Sequence, residues 1–280
     1  MTRPFIEFIQ TQWLQWTDRL GEVCPQWREK VLTVDSDSGA TTRLIWLPPS
    51  WFATTPCHLT AAEEFVVLAG TMHLNGVEYR HLGYGHLPAG LTRDRWWTGS
   101  GAQLLAFSHA TPELRSGTGD AGEQTHLDPY RADWIEIDYR PKMAPGARKL
   151  PLRTDPDTGE ATWLLGAAPI RHGRLPERHP VTEETFVIDG WSIGPLGSMG
   201  PGAYFCRPPD IWHGPFGTPA SGKLNIVRSI GGPLSTEYDD GNAVDDFDWD
   251  PEYRPELPPD MAPIAARYAA SAQHHRLRGD

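Results

Sequence analysis

The chain repeats itself. Asp37-Ser38-Gly39-Ala40-Thr41-Thr42-Arg43-Leu44 is answered by Asp157-Thr158-Gly159-Glu160-Ala161-Thr162-Trp163-Leu164, an interval of 120 residues. The stretch His58-Leu59-Thr60-Ala61-Ala62-Glu63-Glu64-Phe65-Val66-Val67-Leu68-Ala69-Gly70 is answered by His179 to Gly190, with one extra residue before the Glu pair in the first copy. Glu63-Glu64 and Gly70 stand at the same interval from Glu183-Glu184 and Gly190, and Leu87–Arg93 faces Arg207–His213. A pattern this long means two copies of a domain, because a solenoid repeat spans only about 20–50 residues.

Each copy reads as a series of short strands. In the first they are expected near 31–35, 41–47, 63–69, 72–74, 77–80, 83–87, 95–98 and 102–108. In the second they fall near 148–153, 161–168, 184–189, 191–193, 202–206, 211–215 and 222–229. Asn75-Gly76 between two alternating runs is a two-residue hairpin turn. The abundance of turn formers, Gly 28 and Pro 27, between β-branched and aromatic runs points to an all-β chain. The resulting division is an N-terminal helical segment (1–27), a first barrel (28–112), a polar linker or loop (113–132), a second barrel (133–230), and an extended C-terminal arm with a short helix (231–280). Near-helical spacing of Phe5, Ile6, Phe8, Ile9, Trp13, Leu14, Trp16 and Leu20 suggests the first helix, and Ala262–Arg276 the last.

Charge narrows the partners. With 36 acidic against 25 basic residues the net charge is −11, and no Lys/Arg run is present, so neither nucleic acid nor an anionic membrane is expected. No apolar run approaches the length of a membrane span, and Met1-Thr2-Arg3-Pro4 does not open a signal peptide. The three cysteines, Cys24, Cys57 and Cys206, are too few and scattered for a disulfide framework. A reduced, cytoplasmic protein is expected, either monomeric or a homodimer.

The residues that carry chemistry lie in the second copy. His179, Glu183 and His213 offer two imidazoles and a carboxylate, a set that suits Fe(II), Mn(II), Ni(II) or Zn(II) and leaves coordination positions open, as in non-heme iron oxygenases. Glu183 and Glu184 point to opposite faces of a strand, and the spacing from His179 favours Glu183 as the ligand. Glu177 is either a fourth ligand, or a group beside the metal that bonds a ligating histidine or metal-bound water or acts in proton transfer, or a partner in a surface salt bridge. The first copy retains only His58 and Glu63 at the corresponding places, with Arg93 where the late histidine would be, and reads as a degenerate site in which Arg93 either binds an anionic substrate group or forms a buried pair with Glu63.

These motifs resemble those of the cupins, whose two signatures run roughly G-x5-H-x-H-x3/4-E-x6-G and G-x5-P-x-G-x2-H-x3-N. Here the second copy gives His179-x3-Glu183-x6-Gly190 and Gly202-x5-Pro208-x-Asp210-x2-His213, with Glu177 in place of the first histidine. The likeness is greatest to the ChrR-type cupin domains and their two-domain relatives. It implies two tandem jelly-roll barrels of the double-stranded β-helix type with short flanking helices, and one divalent metal per chain, Fe(II) first, with Mn, Ni or Zn as alternatives. Small-molecule oxidation by O2 in the second barrel is the expected activity, with Glu177 and Trp212 as catalytic residues and Phe186, Tyr204 and Arg228 lining the substrate pocket. A metal-dependent isomerase or lyase, and a non-enzymatic sensor of the ChrR kind, are the alternative classes.

Overall fold

The computed structural model describes residues 3–19, 21–137 and 144–267, and these are almost wholly strand, turn and loop. Two compact units divide the chain: the first holds Gln15–Asp133, and the second joins Arg3–Leu14 to the chain from Trp134 onward.

The first unit is built on a seven-stranded antiparallel sheet, in the order Thr125–Leu127, Tyr84–Leu87, Glu63–Gly70, Ala102–Ser108, Thr41–Leu47, Trp27–Val34, Thr17–Arg19. A four-stranded sheet (Phe52–Ala53, Trp96–Trp97, Met72–Leu74, Val77–Tyr79) and a ribbon of Cys57–Leu59 with Leu114–Ser116 complete it. The second unit repeats the plan. Its large sheet runs Ile6–Gln10, Ala203–Arg207, Thr182–Gly190, Lys223–Ile230, Ala161–Ala167, Ala147–Thr154, Ile135–Glu136. Its small sheet is Arg171–His172, Gly217–Thr218, Ser192–Gly194, Gly197–Met199, and its ribbon pairs Glu177–Arg178 with Glu237–Tyr238. The sheets stay open, as a jelly roll rather than closed cylinders.

Local chemistry accounts for the repeat. Asp35 and Asp155 each accept two backbone N–H bonds through Oδ1, from Asp37 and Ser38 and from Asp157 and Thr158, closing the turns before Thr41–Leu47 and Ala161–Ala167. Asn75 and Gly76 both take positive φ, 53° and 83°, as a twisted two-residue hairpin requires. Gly190 ends its strand at φ 69°, and a Cβ there would lie 2.2 Å from the Gly222 carbonyl oxygen, so no other residue fits. In the first unit Leu47, Trp51, Phe65, Val67, Met72, Leu74, Tyr79 and Leu104 fill the interior; in the second, Phe8, Val187, Met199, Ala203 and Phe205 form an apolar cluster.

Three expectations are corrected. Residues 5–20 are not a helix: Ile6–Gln10 is a fully buried strand paired antiparallel with Ala203–Arg207, followed by one 3-10 turn and the strand Thr17–Arg19. Burial on both faces, not amphipathic helicity, explains its apolar run. The stretch taken as a linker carries two strands of the first unit, Leu114–Ser116 and Thr125–Leu127. Thr125–Leu127 borders Tyr84–Leu87 just as Ile6–Gln10 borders Ala203–Arg207. Residues 211–215 make only the isolated bridge between His213 and Glu177. Residues 262–267 are helical, and the rest of the expected terminal helix lies outside the described residues. No helix among the described residues is long and apolar enough to cross a membrane.

Candidate metal centre

Backbone pairing sets the geometry of the second unit's site. Glu177 and His213 exchange both N–H···O bonds at 2.9 Å, and the Asp210 N–H donates to the His179 carbonyl at 2.8 Å. Asp210 makes the intervening turn at φ 63°. Glu177 and His179, two residues apart on an extended segment, present their side chains to one face. Opposite them His213 completes a cluster in which one donor atom from each of Glu177, His179 and His213 lies within 4.8 Å of the others.

Each histidine is held in the tautomer a metal needs. His179 Nδ1 is 2.8 Å from the Ser235 carbonyl and His213 Nδ1 is 2.9 Å from that of Ile211. A carbonyl only accepts, so each Nδ1 carries the hydrogen and each Nε2 presents a lone pair. Buried His213 Nε2 has no hydrogen-bond partner. Burial pushes this imidazole's pKa down to about 3, with Arg207 adding to the effect, so it stays neutral. An orphaned lone pair aimed at a second imidazole and a carboxylate fits a divalent cation, and an isolated buried acceptor is otherwise costly.

Glu183 joins this group. Its Oε2 lies 3.6 Å from His213 Nε2 and 3.9 Å from His179 Nε2, and accepts from Arg207 at 2.7 Å. Burial alone would raise the Glu183 carboxyl, but Arg207, His213 and His179 together hold it below its usual range. The opposite holds at Glu177, where burial and then the charge of Glu183 raise the pKa. Arg207 is itself gripped by Glu7 from the N-terminal strand, with 2.6 Å between Nη2 and Oε1. The sequence reading missed this pair. Its signals were a lone carboxylate inside Phe5-Ile6-Glu7-Phe8-Ile9 and an arginine where the first copy has Leu87.

Other expected site residues lie elsewhere. Glu184, one step from Glu183, takes the opposite face and binds Arg3 and Arg228 at 3.0 Å each and the Tyr204 hydroxyl. Phe186 shares the parity of Glu184, so Phe186, Tyr204 and Arg228 stand on the side of the sheet away from the histidines and do not line their surroundings. Trp212 is 43% exposed and stacks on Arg178, 4.6 Å from guanidinium carbon to ring centroid. Arg178 alternates with Glu177 and His179 and bonds Glu237 at the surface, which puts Trp212 at the rim.

The first unit corrects another expectation. Cys57 and Arg93 form the bridge that Glu177 and His213 form in the second, and Gly90 N–H donates to the Leu59 carbonyl as Asp210 does to His179. The counterparts of the ligands are therefore Cys57, Leu59 and Arg93. His58 corresponds to Arg178, on the other face, with Nδ1 3.2 Å from the Gly117 carbonyl. A slip of one residue in an extended segment reverses which side chains face inward. Glu63 is buried between Arg93 at 2.9 Å and Arg43 at 3.0 Å, the pair expected with Arg93 plus a second cation. The cavity beside them, about 20 Å³, has room for about one water.

Two jelly-roll units, one with imidazoles and carboxylates converging inside it, make the fold of a two-domain cupin. The comparisons agree: the chain is a cupin-fold protein, and residues 126–229 match the ChrR cupin-like domain family. A candidate dioxygenase from Nostoc punctiforme aligns with TM-score 0.72 at 22% identity over 88% of this chain and 88% of its own. A deletion mutant of Bacillus subtilis oxalate decarboxylase gives 0.56 at 12% identity over 83% and 79%, and the 11S globulin of Wrightia tinctoria 0.55 at 10% over 84% and 85%. At these identities the agreement is one of fold, and the fold houses enzymes and globulins alike. No curated protein sequence matches the chain.

Proposed function

We propose that the second unit is a metal-dependent oxidoreductase that oxidises a small organic molecule with O2, and that the first unit is a scaffold without a metal. The observation that carries this reading is the buried, unpartnered Nε2 of His213 within the Glu177–His179–His213 cluster. Glu177, His179 and His213 would hold a divalent ion, with Glu183 as a fourth donor whose carboxylate is shared with Arg207. Fe(II) bound there supplies the electron-transfer capacity that reaction with O2 requires, which carboxylate and imidazole donors support.

The remaining work falls to the chain. The Ser235 and Ile211 carbonyls fix the imidazole orientations, and Arg207 fixes the Glu183 carboxylate. Glu177, whose pKa is raised and whose side chain is 29% exposed, is placed to exchange a proton between the cluster and solvent. Phe216, 5.9 Å from the His213 ring, and Phe205 under Arg207 exclude water from the interior.

Elemental analysis with oxygen-electrode assays over a substrate panel tests the reading. One iron per chain and substrate-dependent O2 uptake, both lost in His213→Ala, are expected. Protein that takes up no metal, or turnover that proceeds without O2, would overturn it, the latter in favour of an isomerase or lyase.

A further inference from the structure

The duplicated chain supplies its own control for which interior positions bind something. Register equates Phe65, Met72, Ala102 and Leu104 of the first unit with Thr185, Ser192, Lys223 and Asn225 of the second. In the first unit all four are buried core, and Phe65, Met72 and Leu104 line the small cavity beside Glu63. In the second unit all four are polar or charged. Thr185, Ser192 and Asn225 are 2%, 3% and 4% exposed, yet Thr185 Oγ1 and Asn225 Oδ1 have no hydrogen-bond partner. Packing does not call for polar groups at positions where the sister unit uses a plain apolar core, and two orphaned oxygens are costly without a ligand to satisfy them.

Lys223 gives the ligand its charge. Its Nζ bonds the Ser192 hydroxyl at 3.1 Å and lies 5.9 Å from the centroid of the Phe216 ring, whose centroid is also 5.9 Å from that of His213. No carboxylate lies within ion-pair distance of it among the described residues. Arg171 reinforces the positive field, since its guanidinium donates to the Pro145 and Ala144 carbonyls rather than to an acid. Arg207 is matched by Glu7 and Glu183. For Lys223 and Arg171, Glu177 is then the nearby acid not already matched by an arginine, with Glu183 adding a weaker pull on Lys223, and a divalent ion would tip the balance further toward positive.

We infer that the second unit takes a small organic acid, whose carboxylate meets Lys223 and Ser192 and whose remaining polar groups meet Asn225 and Thr185 beside the Glu177–His179–His213 cluster. This rests on the reading of that cluster as a metal centre. Asn225 Oδ1 accepts a hydrogen bond, so the acid carries a hydroxyl or amino donor. Phe216 lies between the lysine and the cluster and faces the substrate's carbon skeleton.

The test is calorimetric titration of wild type, Lys223→Met, Lys223→Arg and Asn225→Leu with lactate, malate and salicylate, each beside its amide, on protein with and without metal. At least one acid is expected to bind wild type at least about ten-fold more tightly than its amide, the worth of a charged hydrogen bond. Lys223→Met should lose that preference, Lys223→Arg should keep it, and Asn225→Leu should weaken acid and amide alike. Metal content should not change in any variant, and neither Lys223→Met nor Asn225→Leu should lower the melting temperature, since each removes a polar group whose burial is costly. Failure of every acid to bind, equal binding of acids and amides, or unchanged acid binding in Lys223→Met would overturn the inference. Absence of metal from wild type would instead sink the proposed function, and titration of the metal-free protein would still decide the role of Lys223.

Discussion

Arg207 joins Glu183 to Glu7, a residue 200 positions earlier in the chain, and all three side chains are buried or nearly so. The carboxylate beside His179 and His213 is therefore positioned by the N-terminal strand. A buried cation is tolerated only while its partners are present.

Replacing Glu7 with Leu leaves Arg207 with a single carboxylate. Stability of the metal-free protein should fall by about 3–5 kcal/mol, the usual cost of breaking a buried pair. Metal retention should fall too, as Arg207 draws Glu183 more tightly to itself. Urea denaturation and competition with a chelator measure the two effects, and a stable variant with normal metal affinity would refute the coupling.

Glu177→Gln and Glu177→His separate a ligand from a bystander. If Glu177 ligates, the Gln variant should lose metal affinity by roughly 10–100-fold or more, whereas the His variant should retain the ion, because imidazole suits the same metals. Full occupancy in both would remove Glu177 from the ligand set and leave it as a proton-transfer group, visible as a changed pH profile.

In the first unit, Glu63→Leu leaves the Arg93 guanidinium over the Trp96 ring at 5.1 Å without its carboxylate, while Arg43 keeps Glu29 at 3.3 Å. A loss of about 3–5 kcal/mol is expected. Glu63→Leu combined with Arg93→Met should recover most of it, because a matched apolar replacement removes the buried charge. Metal content should stay at the wild-type value throughout, as measured by elemental analysis.

Lys223 carries a pH signature. Burial, and then Arg171, pull its pKa down to about 8, against the opposing pull of Glu177 and Glu183 and with Arg207 adding a smaller repulsion. Below that pH the amine is charged and acid affinity should be level; above it affinity should fall about ten-fold per pH unit, since only the protonated form pairs. The folded pKa lies below the unfolded 10.5, so the folded state binds fewer protons between these values. This group's contribution to stability therefore grows as pH rises through the window from about 8 to 10.5 and is lost as pH falls back through it. Titration calorimetry from pH 6 to about 10 checks the affinity profile, and Lys223→Arg should flatten it.

Much of this architecture was legible because it is local. The Asp-x-Gly turns, Asn75-Gly76 and the opposed faces of Glu183 and Glu184 all follow from period and turn chemistry within a few residues. What escaped depends on distant partners. Ile6–Gln10 has apolar spacing that suits a helix equally well, and only pairing with Ala203–Arg207 makes it a strand. His58 looked like the relic of a ligand because residue identity matched, but the bridge from Cys57 to Arg93 places Leu59 inward instead. Arg207 and Glu7 are unremarkable apart and informative only as a pair.

Borrowing Ile6–Gln10 has a consequence for how the gene can be divided. An expression clone opening at residue 134 would encode every histidine of the centre, yet would expose the backbone edge of Ala203–Arg207 and leave Arg207 without Glu7. Such a fragment would be prone to edge-to-edge aggregation. Supplying residues 3–14 as a separate peptide, or fusing them to the fragment's C-terminus through a flexible tether, would restore both the edge and the counter-ion. Ribosomal synthesis meets the same order of events: the first strand leaves the tunnel long before the strand it pairs with exists.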